Sequence, residues 1–322
     1  MPLIEQSGYK APPFYMINKH WETIIPSMFF KVKEELYSTR ERLELLDGDF
    51  LDIDRIVAGN KRCILLSHGL EGDSGRYYVK RTAKYFHERS WDIAAWNCRS
   101  CSGEMNRLPR FYHHGDTPDL DEVINHLLES GYEQLILMGY SMGGSLTLKY
   151  LGEAKRDPRI IGAVTFSVPC NLKDSSVQLT LKENQIYEKR FVKKLIEKLK
   201  LKAAIDDGID LSNIESIHDF DTFHDLYTAP LHGFIDREDF FKQATCDQFL
   251  SSISVPTLIV NALNDPMLGE GCYPFEIATQ SPNVYLETPK RGGHVGFSLL
   301  GSAHSYIELR AESFINEVVL GD

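Results

Sequence analysis

The chain has 322 residues, of which 43% are hydrophobic and 25% charged, with a formal net charge of −11 at pH 7. This balance is typical of a globular protein and excludes a disordered chain. A nucleic-acid role is disfavoured because nucleic-acid-binding domains carry an excess of basic residues. The lysines that do cluster, between Lys193 and Lys202, are predicted to form the solvated face of an amphipathic helix.

Neither a secretory leader nor a membrane span is expected. No N-terminal stretch has the order of a signal peptide, and no apolar run approaches the roughly 20 residues that cross a bilayer. The six cysteines show no disulfide-framework spacing, so reduced thiols in a cytoplasmic protein are the simplest interpretation. No phosphate-binding loop or dinucleotide fingerprint occurs, and no cofactor or metal is predicted.

The first 60 residues are predicted to form an aromatic-rich arm that packs on the body and leads into two strands. These strands are expected at 42–46 and 50–55, with Asp47-Gly48-Asp49 as the hairpin turn between them.

From residue 62 onward, short apolar runs alternate with helical patterns. The predicted strands are 63–67, 93–97, 134–138, 160–167, 255–260 and 283–286, and the predicted helices are 77–89, 119–130, 143–151 and 305–319. Such alternation is typical of an α/β fold with a mostly parallel central sheet flanked by helices. Residues from about 170 to 250 interrupt the alternation and are expected to form a helical cap inserted into a single domain that spans 1–322.

A glycine-flanked serine stands where one of these strands meets a helix. The segment Gly139-Tyr140-Ser141-Met142-Gly143 fits the pattern G-x-S-x-G, with an apolar strand before it and a helical pattern after it. A nucleophile on such a sharp turn crowds its neighbours, and glycines remove the side chains that would collide. Ser141 is therefore the predicted nucleophile of an α/β-hydrolase fold.

A serine hydroxyl needs a base, usually a histidine oriented by a carboxylate, and in this fold the chain order is serine, acid, histidine. Asp265 follows the predicted strand 255–260, and His294 lies in a glycine-rich loop before the last helix. The rival bases His113 and His114 precede the serine, and His304 enters the final helix. The predicted triad is Ser141, Asp265 and His294.

Two backbone N–H groups are expected to bind the oxyanion of the reaction. One belongs to Met142, which follows the nucleophile, and the other to Leu70 in the loop after an early strand. His68 in the same loop is expected to brace it and to take no part in the chemistry.

Several stretches together resemble one family, the YheT-like or α/β-hydrolase-4 esterases, which include fungal medium-chain ethyl-ester synthases and animal phospholipase-like hydrolases. The resemblance rests on NKHWETIIP at 18–26, DGDF at 47–50, HGLEG at 68–72, NCRSCSGE at 97–104, YHHGDT at 112–117, GYSMGG at 139–144, TAPLHGF at 228–234, NDP at 264–266 and GGHVGF at 292–297. It implies the same triad of Ser141, Asp265 and His294. Ser100 departs from the family, which usually has glycine after the arginine, and this departure concerns the local turn.

Two other sequence patterns are not assigned a functional role. Cys98 and Cys101 form a C-x-x-C pattern near His113, but ordinary reduced cysteines are favoured over a zinc or redox site. The cap phenylalanines are equally compatible with an acyl pocket and with the cap's own core; they are Phe234, Phe240, Phe241 and Phe249.

Together these features predict a serine hydrolase that cleaves short- to medium-chain acyl esters through an acyl-enzyme. The expected partner is a small-molecule ester, with no nucleic acid and no integral membrane segment, and the oligomeric state is left open. Two alternatives remain: acyl transfer to an alcohol on the same triad, and a binding protein that keeps the fold without turnover.

Overall fold

A computed structural model describes residues 3–206 and 208–321 of the chain. Its centre is a nine-stranded sheet in the order β1-β9-β8-β7-β6-β4-β5-β3-β2. The strands are β1 (Leu3–Ile4), β2 (Thr39–Glu44), β3 (Phe50–Ile56), β4 (Arg62–Ser67), β5 (Asp92–Asn97), β6 (Gln134–Tyr140), β7 (Ile160–Phe166), β8 (Thr257–Val260) and β9 (Val284–Glu287). Among the strands that the structure describes, only the pairings of β3 with β2 and β5 are antiparallel. The predicted α/β class with a mostly parallel sheet is confirmed, and so is the hairpin around Asp47-Gly48-Asp49.

Helices cover both faces of this sheet. They are α1 (Lys19–Phe29), α2 (Tyr77–His87), α3 (Thr117–Glu129), α4 (Met142–Glu153), α5 (Leu172–Thr180), α6 (Gln185–Ala203), α7 (Phe220–Phe223), α8 (Ala229–His232), α9 (Arg237–Ala244), α10 (Phe275–Gln280) and α11 (Tyr306–Phe314). Among the described residues, no helix combines the length and the apolar character that crossing a membrane requires.

The continuous apolar runs of the central strands are explained by burial on both faces. In β4, Cys63 and Leu65 belong to one apolar cluster, whereas Ile64 and Leu66 belong to the other, and all four are at most 1% exposed. Successive side chains of a strand point to opposite faces, so a strand covered by helices on both sides has no polar face.

The N-terminal residues contain more regular structure than the predicted arm. Leu3–Ile4 extends the sheet as an edge strand parallel to β9. Asn18 begins α1, because its side chain accepts hydrogen bonds from the N–H groups of His20 and Trp21 at 3.0 and 3.1 Å. A strand of two residues has no periodicity, and Pro26 inside α1 obscures its helical pattern.

Residues 172–252, here called the cap, are inserted between β7 and β8 and are mostly helical. The prediction of a solvated lysine face on α6 is wrong for two residues, since Lys198 is 9% exposed and Lys202 is fully buried. Lys198 Nζ pairs with Glu71 Oε1 at 2.6 Å, and Lys202 Nζ donates to the carbonyl of Leu108 at 2.6 Å. These cations attach the cap to the body.

Ser100 has a positive φ of 60°, which explains why glycine is usual at this place in the family. Its backbone N–H donates to Asn106 Oδ1, and its hydroxyl accepts from the Asn106 N–H at 3.1 Å. The reciprocal pair offsets the cost of the left-handed conformation.

Four histidines lie at the junction of cap and body. Burial lowers the pKa of His113 and His224 to about 3, of His114 to about 4 and of His232 to about 2. Because their pKa in the unfolded chain is about 6.5, the unfolded state binds more protons between pH 6.5 and 4. Each histidine therefore reduces the free energy of unfolding by up to about 1.4 kcal/mol per pH unit as the pH falls through that window.

We expect urea unfolding at pH 7.5, 6 and 5 to show this loss of stability. His232→Gln removes one of the four groups and should make the decline less steep than in the wild type. Comparing the two slopes isolates the histidine from the carboxylates, which also titrate. Identical slopes in the two proteins would contradict the assignment.

Candidate active site

Ser141 occupies a strained turn between β6 and α4. Its φ of 54° and ψ of −120° are unfavourable for a residue with a side chain. A Cβ on Gly139 would lie 2.4 Å from the Gly143 carbonyl oxygen, and one on Gly143 would lie 2.2 Å from that of Ser67. Only glycine therefore fits at either position, and the motif follows from the packing of this turn against the end of β4.

The structure brings the three predicted side chains together. Ser141 Oγ lies 2.9 Å from His294 Nε2, and His294 Nδ1 lies 3.0 and 2.9 Å from the two Asp265 carboxylate oxygens. The carboxylate can only accept at Nδ1, so that nitrogen carries the proton and Nε2 accepts from the serine hydroxyl. This arrangement can move a proton from Ser141 to His294.

Neighbouring groups fix the loops that carry the acid and the base. The N–H of Met267 donates to Asp265 Oδ1 at 2.9 Å, and the His294 N–H donates to Thr23 Oγ1 at 2.9 Å. The next N–H, of Val295, donates to Ser167 Oγ, also at 2.9 Å. The imidazole is thus held by its backbone as well as by the Asp265 carboxylate.

The loop after β4 lies beside Ser141. A Cβ on Gly69 would lie 3.2 Å from Ser141 Cβ, and Leu70 lines the same cavity as Ser141. Within the described residues the N–H groups of Leu70 and Met142 donate to no backbone acceptor. Both are available to bind an oxygen beside Ser141 Oγ.

His68 lies beneath this loop and is fully enclosed. Its Nε2 accepts from the Cys98 N–H at 3.1 Å, so its Nδ1 carries the proton and donates to the Gly69 carbonyl at 2.8 Å. Burial lowers the pKa of His68 to about 4, which keeps the ring neutral at pH 7. A neutral ring with both nitrogens engaged supports the loop and has no free position for proton transfer.

Glu22, in α1, joins the two loops that carry Asp265 and His294, and it was not singled out in the sequence. The side chain is 1% exposed. Oε1 accepts from Arg291 Nε at 2.8 Å, while Oε2 accepts from the Gly292 N–H at 2.7 Å and from Asn264 Nδ2 at 3.0 Å. The available signal was an acidic residue next to Trp21 and close to Ile24 and Ile25, because an acid buried among apolar side chains requires hydrogen-bond partners.

An apolar cavity, here called the cap pocket, opens beside Ser141 and His294. Most of its lining residues are apolar, as is typical of small-molecule sites, and none is Lys, Arg, Asp or Glu. Phe240 and Phe241 line it and also pack in a cap cluster with Leu172 and Ala244. Phe234 packs against that cluster, whereas the Phe249 ring lies near Lys149.

The other candidate histidines and the cysteines form no hydrogen bond with Ser141, His294 or Asp265 in the part of the chain that the structure describes. One ligand atom each of His113, Asp116 and His232 lies within 4.8 Å of the others, the spacing of a metal site. Asp116 is already paired, however, since Arg110 Nη2 donates to both of its oxygens at 2.7 Å. The positive charge of the Arg110 guanidinium would repel a metal cation at this position. The six cysteines are free thiols.

These features define an α/β hydrolase with a serine, histidine and aspartate at the carboxyl ends of its strands. The sequence matches the model of the family described as Hydrolase_4, serine aminopeptidase S33, over residues 58–271. The chain belongs to this family of the α/β-hydrolase superfamily. Its relatives include proteins named as an esterase and a lipase.

Three relatives illustrate the range of the family. YheT of Escherichia coli (strain K12), whose name describes a candidate esterase, is 32% identical over 87% of this chain and 84% of its own length. Phospholipase ABHD3 of Mus musculus is 26% identical over 92% of this chain and 74% of its own. The monoacylglycerol lipase of Saccharomyces cerevisiae is 27% identical over 74% and 55%, respectively.

Solved structures agree at the level of the fold. The Pyrococcus furiosus esterase Pf2001 superposes with a TM-score of 0.58 at 15% identity, covering 87% of this chain and 92% of that one. Mouse α/β-hydrolase domain-containing protein 10 gives a TM-score of 0.56 at 13% identity, over 87% and 100%.

Proposed function

We propose that the protein hydrolyses short- to medium-chain acyl esters with Ser141 as the nucleophile, His294 as the base and Asp265 as the orienting acid. The observation that carries this proposal is the continuous chain of hydrogen bonds from Ser141 Oγ through the imidazole to the Asp265 carboxylate. The names of the esterase and lipase relatives favour an ester over a peptide.

The proposed reaction proceeds in two steps. His294 Nε2 takes the Ser141 proton as Oγ attacks the acyl carbon, and the N–H groups of Leu70 and Met142 bind the oxyanion. His294 then gives that proton to the departing alcohol, which leaves the acyl group on Ser141. Water, deprotonated by His294, attacks this acyl-enzyme, releases the acid and restores the hydroxyl.

The cap pocket supports the acyl part of the proposal. Its lining beside the nucleophile is dominated by leucine, phenylalanine and methionine side chains, which favour a hydrocarbon chain. Turnover of p-nitrophenyl esters is expected to be fastest for short to medium chains. Product analysis with added ethanol or glycerol distinguishes hydrolysis from acyl transfer, since transfer yields a new ester.

The test of the nucleophile is labelling of the folded protein with a fluorophosphonate, followed by peptide mapping. We expect the label on Ser141 and none on the Ser141→Ala variant. Ser176→Ala is the matched control, because Ser176 lines the same pocket without a histidine partner. Label on another residue, or none on folded wild-type protein, would count against the proposal. Absence of p-nitrophenyl ester turnover in the folded protein would favour a binding protein.

A further inference from the structure

The cavity at Ser141 and His294 has a second arm that differs in character from the cap pocket. We call this arm the outer entrance; residues that line it include Ser27, Lys31, Arg76, Tyr77, Arg190 and Val295. Both arms share Ser141, His294, Leu70 and Phe191. A substrate whose reacting carbon lies at Ser141 therefore extends one end into each arm.

The outer entrance is positively charged in a protein whose net charge is −11. Lys31, Arg76 and Arg190 line it, and none of its lining residues is Asp or Glu. Three acidic residues near these cations in sequence are paired elsewhere: Glu34 with Lys84, Glu71 with Lys198, and Glu183 with Lys19. Asp73, three residues before Arg76, does not line the entrance. The positive charge of the entrance is thus not neutralised by these carboxylates.

Arg76 is fixed where the positive charge meets the loop of Leu70. Arg76 Nη2 and Lys194 Nζ both donate to the carbonyl oxygen of Glu71, at 2.5 and 3.4 Å. Burial lowers the pKa of Lys194, and repulsion from Arg76 lowers it further; the Glu71 carboxylate raises this pKa, and Arg190 lowers it. Like charges held so close to one another favour an anion between them.

We propose that the preferred substrates are acyl esters of an alcohol that carries a carboxylate or a phosphate. The acyl chain lies in the cap pocket, and the anionic group of the alcohol lies in the outer entrance, where Arg190 and Lys31 bind it together with Arg76. Arginine and lysine are the side chains that recognise carboxylate and phosphate groups. This inference rests on the esterase function proposed above and adds to it the charge of the leaving alcohol.

Matched pairs of monomeric esters test the proposal. One pair is 4-(octanoyloxy)benzoate and its neutral amide, 4-(octanoyloxy)benzamide; the other is octanoyl-glycerol phosphate and octanoyl-glycerol. Each pair shares its acyl chain, so its ratio of kcat/KM reports the anionic group. We expect the anionic member to be favoured about tenfold at low salt, mainly through KM, and less so at about 0.5 M salt. The carboxylate and phosphate pairs separate the two sources of charge.

Two substitutions at exposed positions locate the effect. Arg190→Gln and Lys31→Gln, combined in one protein, are expected to reduce the preference below about threefold, because kcat/KM falls far more for the anionic esters than for the neutral ones. Lys189→Gln removes the same charge one residue earlier in α6, outside the residues that line the entrance, and should leave the preference intact.

The outcomes separate this inference from the proposed function. Hydrolysis of neither member of a pair would overturn the esterase proposal itself. Equal hydrolysis of both members, or an equal loss with Lys189→Gln, would overturn the anion site alone. An effect of the double substitution seen only on esters within anionic vesicles would also overturn it, and would assign the charge to membrane docking.

Discussion

Asp265→Asn is expected to lower kcat about 10⁴-fold while the protein keeps its fold. Both carboxylate oxygens face His294 Nδ1, so the acid now fixes the tautomer in which Nε2 accepts the serine proton. An asparagine amide can donate to Nδ1 and so favours the opposite tautomer, with the proton on Nε2. That ring cannot take the proton from Ser141. The measurement is kcat for a p-nitrophenyl ester, with the melting temperature followed in parallel.

A nearby carboxylate provides the control for this substitution. Asp174→Asn alters an acid that contacts the N–H of Gly271 and does not contact His294. We expect it to retain kcat within a few-fold. If Asp265→Asn lost less than about tenfold, the acid would not be orienting the imidazole and the proposed triad would be wrong.

The turn that carries Ser141 could be predicted because its determinants are local. The strained turn, the two glycines and the flanking strand and helix all lie within 134–153, and each leaves its own pattern in the sequence. Asp265 and His294 are far away in the chain, yet their positions followed from the order that the fold imposes on strands and loops. For these residues local pattern and topology were sufficient.

Other features depend on contacts that no local pattern records. Lys202 lies in a lysine-rich stretch that is typical of a solvated helix face. Its ammonium group is nevertheless buried against the backbone carbonyls of residues 106 and 108, about 95 positions earlier. β1 has only two residues, and its pairing with β9 spans almost the whole chain. Tertiary packing determines the burial of Lys202 and the pairing of β1, and neither leaves a pattern in the sequence of its own segment.

Glu22, near the proposed active site, could not be predicted for the same reason: its hydrogen-bond partners lie 242 to 270 positions away in the sequence. The α1 backbone approaches the histidine loop so closely that a Cβ on Gly296 would lie 2.2 Å from the Glu22 carbonyl oxygen. We therefore treat Glu22 as a positioning residue. It acts through Asn264 on the acid and through Gly292 on the base, without touching either side chain.

Replacing Glu22 by glutamine is expected to lower kcat about 10²-fold with a small change in KM. The carboxylate accepts hydrogen bonds on both oxygens, whereas a glutamine amide places an NH₂ group against either Arg291 or the pair formed by Gly292 and Asn264. Two donors then face each other in a buried site, and the loop that holds His294 must move. A displacement of this kind should also slow fluorophosphonate labelling of Ser141.

Glu287→Gln distinguishes positioning of the site from general stability. Glu287 is also buried and accepts from Tyr306 and Ser7 at 2.6 Å and from Arg310 at 2.5 Å, but it contacts no residue of the proposed triad. Both variants should lose a similar free energy of unfolding, because each leaves buried donors facing an amide. Only Glu22→Gln should lose kcat and labelling rate. Equal kcat losses in the two variants would mean that Glu22 contributes only to the stability of the fold. A carboxylate with a purely structural role should affect the reaction at Ser141 no more than Glu287 does.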